Sequence, residues 1–286
     1  MGAQRCVSTI VGMPALASPA PVRLRAGLAL CLREPMRKVQ AVQTLWQERS
    51  QSPLVVTPRP DLPPDATVPG RPEQPRLRPP KEVPTRTPFT PEGLAALLHA
   101  VCHIEFNAIN LALDAVWRFN DMPAEFYDDW LRVAYEESQH FDMLQTHLQH
   151  LGWHYGDFDA HDGLWQMCVK TADDIVARMA LVPRTLEARG LDATPLIQDK
   201  LRKANTPDTW RAVELLDVIL RDEVGHVAIG NHWYRWLCEQ RGLDPVALYG
   251  ELVRRYEAPR LKPPFNTSAR LRAGFTELEL SYLLGS

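Results

Sequence analysis

Proline constrains this chain more than any other residue: it removes a backbone donor and fixes φ, so where it is dense neither a helix nor a central strand can form. Of the 25 prolines, 13 fall between residues 53 and 91. That stretch is read as an extended, polyproline-like strap, either solvated or laid across a helical body. Beyond it proline becomes sparse, and residues 90–241 divide into four long segments with apolar positions at helical spacing and almost no β-branched alternation. The first has Thr90 as N-cap, Pro91 at the first helical position and Glu92 in the first turn, and it runs toward Trp117. The second spans residues 123–151 and stops at Gly152, and the third spans 164–189, is kinked by Pro183 and stops at Gly190. The fourth spans 207–241, stops at Gly242 and would be roughly 50 Å long at 1.5 Å per residue.

Ahead of the strap, residues 22–49 carry helical spacing in two pieces, with Pro35 suited to starting the second. A further helix is expected over 245–256, followed by an irregular tail. The organisation predicted is a disordered extension at 1–20, N-terminal helices at 21–52, the strap at 53–89, a four-helix bundle at 90–242, and a C-terminal helix and tail at 243–286 that pack on it. The fold class is all-α.

A chain that is 45% apolar and 23% charged can bury a full core, and it contains no run of the ~18 to 20 apolar residues that spans a bilayer. No membrane partner is therefore expected. A net charge of −3 supplies no global positive field, which argues against nucleic acid as a partner. The five cysteines are odd in number, scattered and never paired as C-x-x-C, which fits a reducing cytoplasm and opposes both a disulfide framework and a thiolate zinc site. Arg5, the apolar stretch from Cys6 and Ala15-Leu16-Ala17 imitate a signal peptide, but Gly12 and Pro14 interrupt the stretch.

Chemistry concentrates in a pattern that occurs twice: Glu137-Ser138-Gln139-His140 on the second segment and Glu223-Val224-Gly225-His226 on the fourth. Residues three apart on a helix share a face, so each pair can hold one metal ion together. With 17 Glu and 9 His, about 0.5 such matches are expected by chance, so spacing alone is only suggestive. The other two segments supply the carboxylates that would complete the site, with little freedom of choice. Glu105 is the only glutamate between Glu92 and Glu125, and Glu187 the only one between Glu137 and Glu214. The set Glu105, Glu137, His140, Glu187, Glu223 and His226 is the di-iron carboxylate pattern of ferritin-like bundles. Glu187 stands only three residues before Gly190, and Asp173 or Asp174 are its alternatives.

An acidic residue precedes each motif, and metal-bound imidazoles usually donate their outer N–H to a carboxylate. Asp222 is expected to orient His140 across the bundle, and Glu136 to orient His226. His99 and His103, four apart, are read as a buried or partner-bonded pair, since His103 and Glu105 lie about 200° apart around their helix. Arg254, Arg255, Arg260, Lys262, Arg270 and Arg272 make the tail basic; a solvated face or a clamp on the acidic bundle is the first reading, and an anionic substrate the second.

The stretches His99-Ala-Val-Cys-His-Ile-Glu105, Glu137-Ser-Gln-His140, Arg178 to Gly190 and Arg221-Asp-Glu-Val-Gly-His226 resemble those of a bacterial family of uncharacterised ferritin-like proteins. The likeness extends to Pro69-Gly-Arg-Pro72, Pro264-Phe265-Asn266 and Ala273-Gly274-Phe275, and it covers nearly everything after Val22. It implies the bundle fold and a di-metal site, with no settled substrate. In the wider superfamily, the acidic residue before each motif is similar to that of hydrocarbon monooxygenases and ribonucleotide reductase small subunits. The latter carry a radical tyrosine one turn beyond the first His, where this chain has Leu144; Tyr135, on the same helix, is read as a packed aromatic.

Oxygen-rich ligands suit iron or manganese, so two Fe ions, or a Mn or mixed Mn/Fe pair, are the expected cofactors. The function expected is a di-iron oxidoreductase activating O2 to oxidise or hydroxylate a small molecule, with Ala108, Phe141, Leu144, Met179 and Pro183 lining the pocket. The alternative is metal storage, handling or sensing on the same ligands. Storage would need a shell of subunits that the strap and tail would encumber, so a monomer or homodimer is expected. The electron donor is not legible in the residues.

Overall fold

The computed structural model describes residues 21–285 apart from 52, 53 and 55, and the extension expected at 1–20 lies outside the described residues. Among the described residues there is no strand, only an isolated bridge between Leu77 and Ala160. The helices are α1 (Val22–Leu30), α2 (Pro35–Arg49), α3 (Pro91–Arg118), α4 (Ala124–His150), α5 (Gly163–Lys170), α6 (Ile175–Leu181), α7 (Ala188–Ala204), α8 (Pro207–Gln240), α9 (Pro245–Arg255), α10 (Thr267–Arg272) and α11 (Glu277–Gly285).

The start signals act through side chains that satisfy the first free backbone donors. Glu34 accepts from Met36 N and Arg37 N ahead of Pro35, Thr90 accepts from Gly93 N, and Asp244 accepts from Val246 N and Ala247 N. Thr206 and Thr209 form a reciprocal capping box at the start of α8. At the end of α4 the chain turns through Gly152 at φ +82°, a left-handed conformation that suits glycine.

Two corrections concern the third segment and the tail. The third segment does not stop at Gly190. It is broken earlier, after Lys170, restarts at α6 where Asp174 accepts from Ala177 N, and passes through a π-helical stretch, Val182–Glu187, into α7 and on to Ala204. Proline explains the π register: Pro183 has no N–H to give to the preceding turn, and the wider turn absorbs the missing bond. Gly190 sits among helix formers and keeps helical geometry, so it ends nothing. The tail is also more regular than expected, because α10 and α11 form and are tied back by buried charges. Arg270 pairs with Asp192 at 2.6 Å, and Arg184 with Glu279 at 2.8 Å.

Packing places α3 antiparallel to α4 and α7 against α8, with α4 also touching α8. α1 lies on α3, and α2 on α4. α3 is the one described helix long and apolar enough to cross a membrane by composition, and 72% of its most apolar stretch is buried inside the protein.

The strap is laid on this body. Arg23, buried on α1, donates to Thr57 O, Trp117 O and Phe119 O. Buried Lys38 donates to Leu30 O, Gly70 O and the side chain of Asn110. Arg71 pairs with Asp162 and Arg78 with Asp159, which fastens the strap to the loop between α4 and α5.

Candidate metal centre

Glu105 on α3, Glu137 and His140 on α4, Glu187 at the end of the π stretch, and Glu223 and His226 on α8 are all buried. The i, i+3 spacing turns each Glu–His pair to the interior. His140 Nδ1 lies 3.3 Å from Glu105 Oε2 and 3.2 Å from Glu137 Oε2. His226 Nδ1 lies 2.9 Å from the other oxygen of Glu137 and 3.8 Å from Glu223 Oε1. Glu137 therefore stands between the two imidazoles, whose ring centres are 5.8 Å apart. One ligand atom from each of Glu105, Glu137, His140 and Glu223 lies within 4.8 Å of all the others.

Outside this group, the carboxylates in front of each motif reach the outer ring nitrogens. Asp222 Oδ2 is 3.2 Å from His140 Nε2, and Glu136 Oε2 is 2.7 Å from His226 Nε2. Each such contact favours an N–H on Nε2, so that Nδ1 is the ring atom turned toward the inner carboxylates. Arg221 donates to Asp222 at 2.9 Å, a partner that the sequence reading missed although the basic residue adjoins the acid.

Charge is poorly balanced at the centre. Burial, reinforced by Glu137, pushes the Glu105 carboxyl well above the usual range. Burial also raises Glu187 and Glu223, Glu187 with help from Glu223 and Glu137, and Glu223 with help from Glu137. Glu137 goes the other way: burial would raise it, but His226 and His140 outweigh that and hold it well below the usual range. Burial disfavours charge on both imidazoles, yet Asp222, Glu105 and Glu137 hold His140, and Glu137, Glu136 and Glu223 hold His226, well above the ordinary histidine range. Asp222, bonded to His140, drops to about 2.

The fit to a cation rests on atoms without partners. Glu105 Oε2, Glu137 Oε1, both oxygens of Glu187, Glu223 Oε2 and His226 Nδ1 are buried and make no hydrogen bond. Five of the six are acceptors that water or donors would normally satisfy, and leaving them bare in a protein interior costs free energy. His226 Nδ1 and Glu137 Oε1 stand at ion-pair distance, 2.9 Å, so without a cation the imidazole proton offsets part of the carboxylate charge. Oxygen-rich donors with two imidazoles suit iron or manganese.

The surroundings are apolar: Ala108, Phe141, Leu144, Met179 and Pro183 are buried. The two alternatives to Glu187 lie elsewhere, since Asp173 and Asp174 line a cavity of about 470 Å³ with Lys170, Arg241, Arg255 and Tyr256. Tyr135 stacks on Trp46 with ring centres 5.7 Å apart. His99 and His103 do not join the cluster. His99 Nε2 accepts from Gly156 N at 2.9 Å, and His103 lies 2.8 Å from the Tyr155 hydroxyl and 3.2 Å from His161 O.

Comparison with known proteins adds a family and no activity. Residues 31–281 match the family described as "Protein of unknown function (DUF455)". A Haemophilus influenzae protein described as uncharacterized is 49% identical over 264 residues, covering 89% of this chain and 91% of its own length. No solved structure matches the chain.

Proposed function

This chain belongs to that family of proteins of unknown function, and from that premise we propose that it is a ferritin-like di-metal carboxylate oxidoreductase that uses O2 to oxidise or hydroxylate a small molecule. The reading is supported by one observation: buried ligand atoms of Glu105, Glu137, His140 and Glu223, from three helices, lie within 4.8 Å of one another, and the buried carboxylate of Glu187 has no hydrogen-bond partner on either oxygen. Two iron ions, or manganese in one or both positions, would supply redox chemistry with O2 there.

The protein's own residues would do the rest. Glu105, Glu137 and His140 would hold one ion, and Glu187, Glu223 and His226 the other, with Glu137 presenting one oxygen toward each imidazole. Asp222 and Glu136 keep the outer nitrogens of His140 and His226 protonated, which fixes the ring tautomer and aims Nδ1 inward. Phe141, Leu144 and Met179 are buried apolar side chains that would keep water from the centre.

The test is metal analysis after anaerobic loading with Fe(II), followed by optical spectra on admitting O2. Close to two irons per chain and an oxo-bridged ferric absorption are expected. Glu137→Ala and Glu223→Ala should each lose stoichiometric metal while keeping helix content. Unchanged metal in both variants, or none in the wild type under iron and manganese alike, would sink the assignment.

A further inference from the structure

We propose that the two halves of the centre are unequal: the half at Glu105, Glu137 and His140 retains its ion, whereas the half at Glu187 and His226 holds an ion that exchanges readily. The inference rests on the metal-centre reading above and adds to it an order of binding and a structural cause.

The retaining half is built on unbroken helices. Glu105 is near the middle of α3, and Glu137 and His140 are within α4, with no Gly or Pro inside three residues of any of them. The two helices are locked together around this level by Cys102, Phe106 and Phe141, all buried, and the Cys102 thiol contacts Phe141 O. Ligand atoms of these residues, with one from Glu223, already lie within 4.8 Å of one another, so little needs to move for an ion to be held.

The other half is built on backbone that yields. Glu187 is the last residue of the π-helical stretch, and neither of its oxygens meets a partner. π-Helical turns are uncommon and collect at functional sites. Gly190 follows three residues later, inside α7, and Gly225 lies between Glu223 and His226, inside α8. A Cβ at either glycine would meet no atom within 4 Å. Packing therefore requires glycine at neither position, although glycine inside a helix weakens it. Gly230 shows the contrast, because a Cβ there would lie 2.5 Å from Pro183 Cβ and close packing of the π stretch on α8 demands its absence. All three ligands of this half thus lie within three residues of a glycine that loosens its helix without a packing reason. Glu187 and Glu223, 7% and 8% exposed, are also the least deeply buried of the six ligands.

Co(II) is the probe, because its visible absorption reports each ion bound. Metal-free protein titrated with Co(II) should take up one equivalent tightly and a second weakly, and excess EDTA should then remove Co(II) in a fast and a slow phase. Glu187→Ala should keep the tight equivalent and lose the weak one; Glu187→Gln, which preserves volume, is the second variant should the alanine protein fold poorly. Gly190→Ala with Gly225→Ala should raise Tm by about 2–4 °C, showing the helices stiffened, and slow the fast phase at least threefold without changing the slow one. Two ions binding in one indistinguishable step, loss of both in the Glu187 variants, or a raised Tm with an unchanged fast phase would overturn the proposal. Uptake of no Co(II) by the wild type overturns the metal reading itself, a result distinct from each of these.

Discussion

Two buried polar regions lie along α3 and differ in one respect that decides what each is for. At the end of the helix Asp114 accepts from Arg118 at 2.7 Å and from Arg178 at 2.5 Å, and Arg178 also donates to Thr171 Oγ1 and Cys168 O. Donors and acceptors there match. Around Glu105 four carboxylates share two imidazoles, and both oxygens of Glu187 and Glu223 Oε2 have neither a hydrogen bond nor an ion pair. A satisfied network is complete without any ligand, while an acceptor-rich cluster in the same apolar interior needs a cation to be complete. Loss of a side chain should therefore have opposite consequences in the two regions.

The largest effect should come from the satisfied network. Arg178→Ala leaves Asp114 with one partner instead of two and removes the guanidinium donor from the Cys168 carbonyl and the Thr171 hydroxyl. Removing one member of a buried ion pair costs about 3–5 kcal/mol, which for a chain of this size lowers Tm by roughly 10 °C. Thermal unfolding of the metal-free variant measures it, and a fall of less than about 2 °C would break the contrast.

Histidines sharpen it next. His140 and His226 are held above their ordinary range, whereas burial depresses His99 to about 4, and burial with His99 depresses His103 to about 3. A base with a depressed pKa binds fewer protons folded than unfolded. Its stabilising contribution is therefore complete above about pH 6.5 and is lost as pH falls toward 4 and 3. At about 1.4 kcal/mol per pH unit the loss is on the order of 3 kcal/mol for each residue at pH 4. In metal-free protein, urea midpoints between pH 7 and 4 should fall less steeply for His103→Gln than for the wild type. Equal slopes would contradict the assignment of a neutral, tyrosine-bonded His103.

How much of this contrast could be read from the residues alone depends on the range of the interactions involved. The capped starts at Thr90 and Asp244 and the Pro35 start of α2 are local chemistry, and they sit where the spacing placed them. The i, i+3 pairs are local too, and so are the acids one residue ahead of them; the sequence therefore named Asp222 and Glu136 as partners for the opposite imidazoles. The third segment runs past its expected stop because a helix ends at glycine only if the backbone turns left-handed, and Gly190 does not. The tail is more regular than its spacing predicts for a different reason. Its helices depend on Arg270 finding Asp192 and on Arg184 finding Glu279, partners 78 and 95 residues away that periodicity cannot see.

A smaller effect is expected at the ring-orienting carboxylates. Asp222→Asn keeps a group beside His140 Nε2 but removes the charge, so the ring loses its preference for the tautomer that aims Nδ1 inward. Metal affinity should fall about tenfold, roughly 1.4 kcal/mol, and Tm of the metal-free protein should fall by a few degrees, because Asp222 also pairs with His140 there. Competition against a chelator of known affinity reads the difference, and unaltered affinity would mean that the ring is oriented by packing alone.

The smallest effect has the opposite sign. In metal-free protein Glu187 contributes a buried carboxyl with two unsatisfied oxygens and no compensating bond, so burial beside Glu223 works against folding. Glu187→Leu replaces it with an apolar group of similar volume and should raise the stability of the metal-free protein by about 1 kcal/mol, or about 2 °C in Tm. Loading with metal should reverse the order, because only the wild type gains the second ion's binding energy. A crossing of the two Tm values between metal-free and loaded conditions is therefore the signature expected. If Glu187→Leu destabilised the protein in both conditions, Glu187 would belong with Asp114 as part of the scaffold, and the distinction between the two regions would fail at the residue where it is most exposed to test.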